Sequence, residues 1–241
     1  MTDAVLALIA AVAGAIASVT GFGIGSLLTP ALSVRAPLNI AVAVVSIPHF
    51  IGTVVRFWML RGHVDRRVLL TFGLASAAGG LTGALLHTRL GSSVLSGVFG
   101  VLLLFVAVTQ FTGAADRMRF GGAVAMIAGT LSGLLGGLVG NQGGIRSAAL
   151  LGFEMPKETF VATATAIGLM VDAARMPVYI AAEGREMSQF GVPILVMILG
   201  VLFGTIAGTR VLRRVPERWF RTIVALVLAV LGVAMLVRAF R

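Results

Sequence analysis

Two arginines stand inside apolar runs of this chain. Arg56 lies in LNIAVAVVSIPHFIGTVVRFWML and Arg175 in TFVATATAIGLMVDAARMPVYIAA. An arginine within hydrocarbon costs about 3 kcal/mol on insertion scales. It stays charged and offers a planar fork of donors that matches an oxyanion. Both sit about five residues from the end of their runs, so a long side chain could also reach the interface by snorkelling. Asp172 precedes Arg175 by three residues, a spacing that brings the two onto one helix face.

Two glycine clusters carry the second signal. Gly21, Gly23 and Gly25 interrupt one apolar run; Gly140, Asn141, Gln142, Gly143 and Gly144 interrupt another. A break in lipid frees backbone N–H and C=O groups, at several kcal/mol each unless protein or trapped water satisfies them. A helix that restarts after the break directs unpaired N–H groups and the positive end of its dipole at the gap. An anion is the natural occupant. Ser26 and Thr29 in the first cluster, and Asn141 and Gln142 in the second, add donors. Arg146 follows the second break with Leu27 as its first-half equivalent; substrate contact and a structural ion pair are both open to it. Close helix packing is the competing use of such glycines, and it accounts for Gly79/Gly83 and Gly204/Gly208.

Proton-coupled transport would need a titratable group near such a site. His49, beside Pro48, and Asp172 are the coupling candidates. His63 and His87, near segment ends, are expected at interfaces. Three scattered histidines and no cysteine give no metal site, and disulfide and thiol chemistry are excluded. No Ser-His-Asp set, HExxH or paired carboxylates appear, so no enzymatic activity and no cofactor are expected. Gly21 to Gly25 follows no strand, which sets aside a dinucleotide loop.

Elements that could position these residues follow from composition. The chain of 241 residues is 58% hydrophobic and only 12% charged, about half the charged fraction of a soluble domain. Eight apolar segments are visible: Ala4–Leu32, Leu38–Leu60, Val68–Leu86, Val94–Phe111, Gly121–Leu151, Thr159–Ala182, Phe190–Val211 and Thr222–Val237. The fold class predicted is an all-α integral membrane protein. The first apolar run reads as a membrane segment and not as a cleaved signal. A net charge of +10 is spread among short loops, which favours anionic lipid and topology setting over nucleic acid.

Segments one and five are each too long for one straight crossing, and each holds a glycine break. Gly21 and Gly140, Pro37 and Pro156, and Arg56 and Arg175 are all 119 residues apart. Gly79 and Gly204 are 125 apart, which places a small insertion near Glu183 to Glu186, read as a loop. Two four-segment repeats, residues 1–115 and 116–241, are the expectation. If all eight segments cross, the loop Lys and Arg divide 8 against 8. If segments one and five re-enter, the halves are inverted and the count is 11 against 5, with Arg61, Arg66, Arg67, Arg117, Arg119, Lys157, Arg210, Arg213, Arg214, Arg218 and Arg221 on one face. The positive-inside rule then makes that face cytoplasmic and puts both termini outside. The inverted arrangement is preferred.

Thr20-Gly21-Phe22-Gly23-Ile24-Gly25 with Thr29-Pro30-Ala31-Leu32, and Gly140 to Gly144 at repeat spacing, resemble the signatures of the sulfite exporter TauE/SafE family of membrane transporters. The resemblance covers nearly the whole chain. Ile24 interrupts what is often a glycine triplet, and Ala149 stands where a proline would echo Pro30. The resemblance implies transport of a small sulfur-containing anion (sulfite, a sulfonate or sulfoacetate) across the bacterial inner membrane. The expectation is a secondary transporter working by alternating access, in the export direction. Arg56, Arg175, the two glycine breaks, Ser26, Asn141, Gln142 and Arg146 would hold the substrate. Its partners are the anion, the bilayer and a coupling proton or sodium ion, without nucleic acid. An anion channel or a carboxylate transporter is the alternative.

Overall fold

The structure, a computed structural model, describes residues 2–21, 23–113, 122–141, 143–151, 153, 155–212 and 217–240. Among them there is helix and no strand. The helices are α1 (Asp3–Thr20), α2 (Ile24–Ser33), α3 (Leu38–Leu60), α4 (Leu74–His87), α5 (Ser92–Thr112), α6 (Gly122–Val139), α7 (Gly143–Leu151), α8 (Lys157–Met187), α9 (Gly191–Leu212) and α10 (Glu217–Ala239). A helical turn at Arg66–Val68 and a π-helical stretch at Leu69–Gly73 lead into α4. Among the described residues, four helical stretches are long and apolar enough to cross a membrane: Leu38–His63, Arg66–His87, Ser92–Thr112 and Glu158–Ala207. Shorter apolar helices occupy Asp3–Ser18, Ile24–Ser33, Ala123–Val139 and Val224–Ala239.

Both long segments break where the glycines predict. Gly21 closes α1 in the left-handed conformation, φ 78°, and its N–H returns to Ala17 O. Gly140 follows α6 with φ 74°. Any residue with a β-carbon is strained at such a φ, which is why both turns need glycine. Past the first break, α2 turns back along α1. A β-carbon on Gly23 would lie 3.0 Å from Ile16 Cγ2. Arg35, just beyond α2, meets Asp3 at the start of α1 with Nη1 2.6 Å from Oδ1. In the second half, Ala125 and Ala128 of α6 share one apolar cluster with Ala149 and Leu150 of α7.

The halves interlock through small residues. β-carbons on Gly200 and Gly204 of α9 would lie 2.6 Å from Ala7 O and 1.9 Å from Ala11 O, so α1 and α9 run parallel in near-contact. Likewise Gly79 and Gly83 of α4 face Thr130 O and Leu134 O of α6 at 2.2 and 2.0 Å, again in parallel. The expectation of tight packing at Gly79, Gly83 and Gly204 is met: without side chains, backbones approach and dispersion does the work that hydrophobic burial does in water. By contrast α3 and α8 are antiparallel, with Asn39 bonded to Glu183 and His49 to Asp172. So are α5 and α10, in which Gly100 meets Leu236 and Gly232 meets Leu104.

One boundary differs from the sequence reading. Glu183 to Glu186, expected in a loop, lies inside α8, which runs on to Met187. Its charge is accommodated because Glu183 is buried against Asn39 and His87. His87, expected at an interface, is 1% exposed, and its Nδ1 contacts Leu138 O at 2.7 Å. His63 is exposed.

Candidate functional site

The two glycine breaks meet. A β-carbon on Gly25 would lie 2.1 Å from Gly140 O, so the first turn of α2 rests on the turn that ends α6. Gly23 caps α2 with φ 128° and no side-chain hydrogen bond, leaving that helix start without a polar cap. The second break reaches back: Arg146, one turn into α7, donates from Nη2 to Gly21 O at 3.1 Å. Gly168 of α8 makes room for its guanidinium; a β-carbon there would sit 3.0 Å from Arg146 Nη1.

Arg56 and Arg175 project inward. They are 4% and 1% exposed, so neither snorkels outward, yet the two are used differently. Arg175 is enclosed by partners. Its Nε and Nη2 lie 3.0 and 2.9 Å from Asp172 Oδ1, and Nη1 donates to Gly136 O at 2.5 Å. The Tyr179 ring lies beneath it at 5.7 Å, and the Tyr179 hydroxyl donates to Gly137 O. Arg175 and Tyr179 thus cover carbonyls at the end of α6, where the helix dipole favours a cation. Asp172 also accepts from His49, with Oδ2 2.6 Å from Nδ1. A carboxylate paired with Arg175 has only acceptors to offer, so Nδ1 of His49 carries the hydrogen.

Among the described residues Arg56 makes one long contact, from Nη2 to Thr53 Oγ1 at 3.4 Å, and its Nε and Nη1 have no hydrogen-bond partner there. Nε and Nη1 of Arg146, Nδ2 of Asn141 and the Thr29 hydroxyl are also buried without one. Thr29, Asn141 and Arg146 lie at the breaks, and Arg56 interacts electrostatically with Arg146. A β-carbon on Gly140 would be 3.7 Å from Thr29 Oγ1 and 3.6 Å from Arg175 Nη1, and Arg146 lies within electrostatic reach of Arg56, Asp172 and Arg175. A buried charge without its partner costs roughly 3–5 kcal/mol. Donors left open on two such charges fit an acceptor-rich, negatively charged guest.

The remaining expected residues are placed as follows. Gly143 is buried at the start of α7, and Gly144 follows it in the same helix. Ser26 is buried and lines an apolar cavity of about 90 Å³ with Val12, Ile16 and Val224. Gln142 lies outside the described residues. Sequence reasoning passed over Thr53, Gly168 and Tyr179. Thr53 was open to detection, since it precedes Arg56 by three residues as Asp172 precedes Arg175 and lies 119 residues before Asp172. It also passed over a partly buried polar chain at the far end of α3 and α8, where Ser92 donates to Asn39, Asn39 to Glu183, and His87 Nε2 approaches Glu183 at 3.5 Å.

The family model described as "Sulfite exporter TauE/SafE" matches residues 6–235. The chain belongs to the sulfite exporter TauE/SafE family. Comparison with curated proteins and with solved structures returned no match. As a TauE/SafE protein with apolar helices along its length, it is an integral membrane protein of a transporter family named for a sulfur oxyanion. That gives the inward arginines and glycine breaks a chemical context.

Proposed function

We propose that this TauE/SafE protein is a secondary transporter that exports a small sulfur oxyanion (sulfite, sulfoacetate or another sulfonate) across the bacterial inner membrane by alternating access. The observation that carries the reading is the set of buried donors on Arg56, Arg146 and Asn141 without a partner among the described residues, with Arg146 and Asn141 at the touching glycine breaks and Arg56 in electrostatic reach of Arg146. Arg56 and Arg146 bind the anion, the backbone of the breaks and Asn141 orient it, and Arg175 with Asp172 fixes the end of α6 beside it. His49 and Asp172 are the groups through which a proton would couple to transport.

The architecture proposed with it is an inverted repeat, residues 1–115 against 116–241, with α1–α2 and α6–α7 as re-entrant hairpins. Support comes from the antiparallel pairing of equivalent helices, α3 with α8 and α5 with α10. A parallel repeat would pair equivalents in parallel. The Asp3–Arg35 contact supports return of the first hairpin to its starting side.

Flux into proteoliposomes, measured with sulfite, sulfonates, sulfate and carboxylates, tests the function. Saturable flux with counterflow is expected for the sulfur anions, whereas a channel would show neither. Arg56→Ala and Arg146→Ala, each removing a charge-assisted contact, are expected to raise the half-saturating concentration by roughly tenfold or more, with the protein still folded. Undiminished transport by both variants would remove the binding role.

A further inference from the structure

The repeat-related arginines differ in one respect that determines charge. Asp172 stands three residues before Arg175 and pairs with it. The equivalent residue before Arg56 is Thr53, whose hydroxyl is neutral and 3.4 Å away. Arg146 has Leu27 as its counterpart and, among the described residues, bonds a backbone carbonyl through Nη2. Among the described residues the buried charges around the breaks are therefore three guanidiniums and one carboxylate. With His49 neutral, two positive charges remain uncompensated. In a low-dielectric interior an excess of that size is relieved fully by two negative charges and only half by one.

Resting on the anion-site reading above, we propose that the site selects a dianion over a monoanion of the same shape, and that Thr53 sets this preference by withholding a carboxylate from Arg56. Shape alone does not make that choice. Sulfite and methanesulfinate are both pyramidal at sulfur, and sulfate and methanesulfonate are both tetrahedral; within each pair a methyl group replaces a charged oxygen. The residues around the breaks offer donors and charge to the oxygen that the methyl group lacks.

The experiment is competition for sulfite flux in proteoliposomes of the whole chain at mildly alkaline pH, where sulfite is a dianion. For the unaltered protein, sulfite is expected to outcompete methanesulfinate, and sulfate methanesulfonate, by roughly tenfold or more in half-inhibiting concentration. Thr53→Asp places a carboxylate beside Arg56 as Asp172 stands beside Arg175. It is expected to weaken both dianions and to bring the monoanions level with them or ahead. Thr53→Asn, of similar size and uncharged, is expected to keep the dianion preference. Equal competition by both members of each pair in the unaltered protein would overturn the inference and leave the anion site standing. So would a loss of preference in Thr53→Asn as large as in Thr53→Asp. If no sulfur anion is carried or competes at all, the reading of the site itself fails.

Discussion

At the scale of single residues, two arginines that look alike in sequence do different jobs. Arg175 is held by Asp172 and by the carbonyls that end α6, so its removal is first a matter of stability. Arg175→Ala leaves Asp172 buried with, among the described residues, only His49 as a partner, and a loss of about 3–5 kcal/mol is expected. Arg175→Ala combined with Asp172→Asn removes the stranded charge and should recover part of that loss. Thermal unfolding in detergent checks both; a double variant no more stable than the single one would contradict the pairing. The Asp172–Arg175 pair was legible from its three-residue spacing. The contacts of Arg146 with Gly21 and of His49 with Asp172 were not, because each joins residues more than a hundred positions apart. Such contacts depend on how two helices register, which no local pattern encodes. Ser26 illustrates the converse: its type suggested a donor, but the orientation of α2 places it against an apolar cavity.

At the scale of elements, the helix breaks were legible because the physics there is local. A chain that leaves a helix through a positive φ needs glycine, and Gly21 and Gly140 stand at those turns. What the breaks touch was a matter of packing. Gly25 abuts Gly140 O, so Gly25→Ala inserts a methyl group into backbone and should force the two hairpins apart. A cost of about 1–3 kcal/mol is expected from such overpacking, with loss of flux at unchanged membrane insertion. Gly62→Ala is the control, since nothing lies within 4 Å of a β-carbon there. The proposed re-entrant hairpins also predict sidedness. The chain has no cysteine, so single cysteines can be placed freely. A cysteine replacing Arg35 should react with an impermeant reagent from outside the cell, and one replacing Arg61 only from the cytoplasm. Labelling of Arg35→Cys from the cytoplasm alone would refute the re-entrant hairpin and the orientation together. The helical continuation through Glu183 to Met187 was missed because charge was read as exposure, whereas Asn39 and His87 on neighbouring helices bury that carboxylate.

At the scale of the whole molecule, the charge proposed for the site would decide which step of the proposed alternating-access cycle feels the membrane potential. Two uncompensated positive charges near the breaks are neutralised when a dianion is bound. Switching the loaded site between the two faces then moves no net charge, whereas switching the empty site moves two. Each charge crossing the full potential is worth about 2.3 kcal/mol per 100 mV, so the empty step carries nearly all of the voltage dependence. On that proposal, in a cell negative inside the empty site would return inward with the field, which would favour export without a second ion. Two proteoliposome measurements separate the steps. Sulfite-for-sulfite exchange, which cycles only the loaded site, should be nearly indifferent to an imposed potential. Net efflux, which requires the empty return, should accelerate when the compartment holding the sulfite is made negative. Exchange as voltage-sensitive as net efflux would mean that the loaded site still carries charge, and the two-charge balance around Arg56 and Arg146 would have to be abandoned.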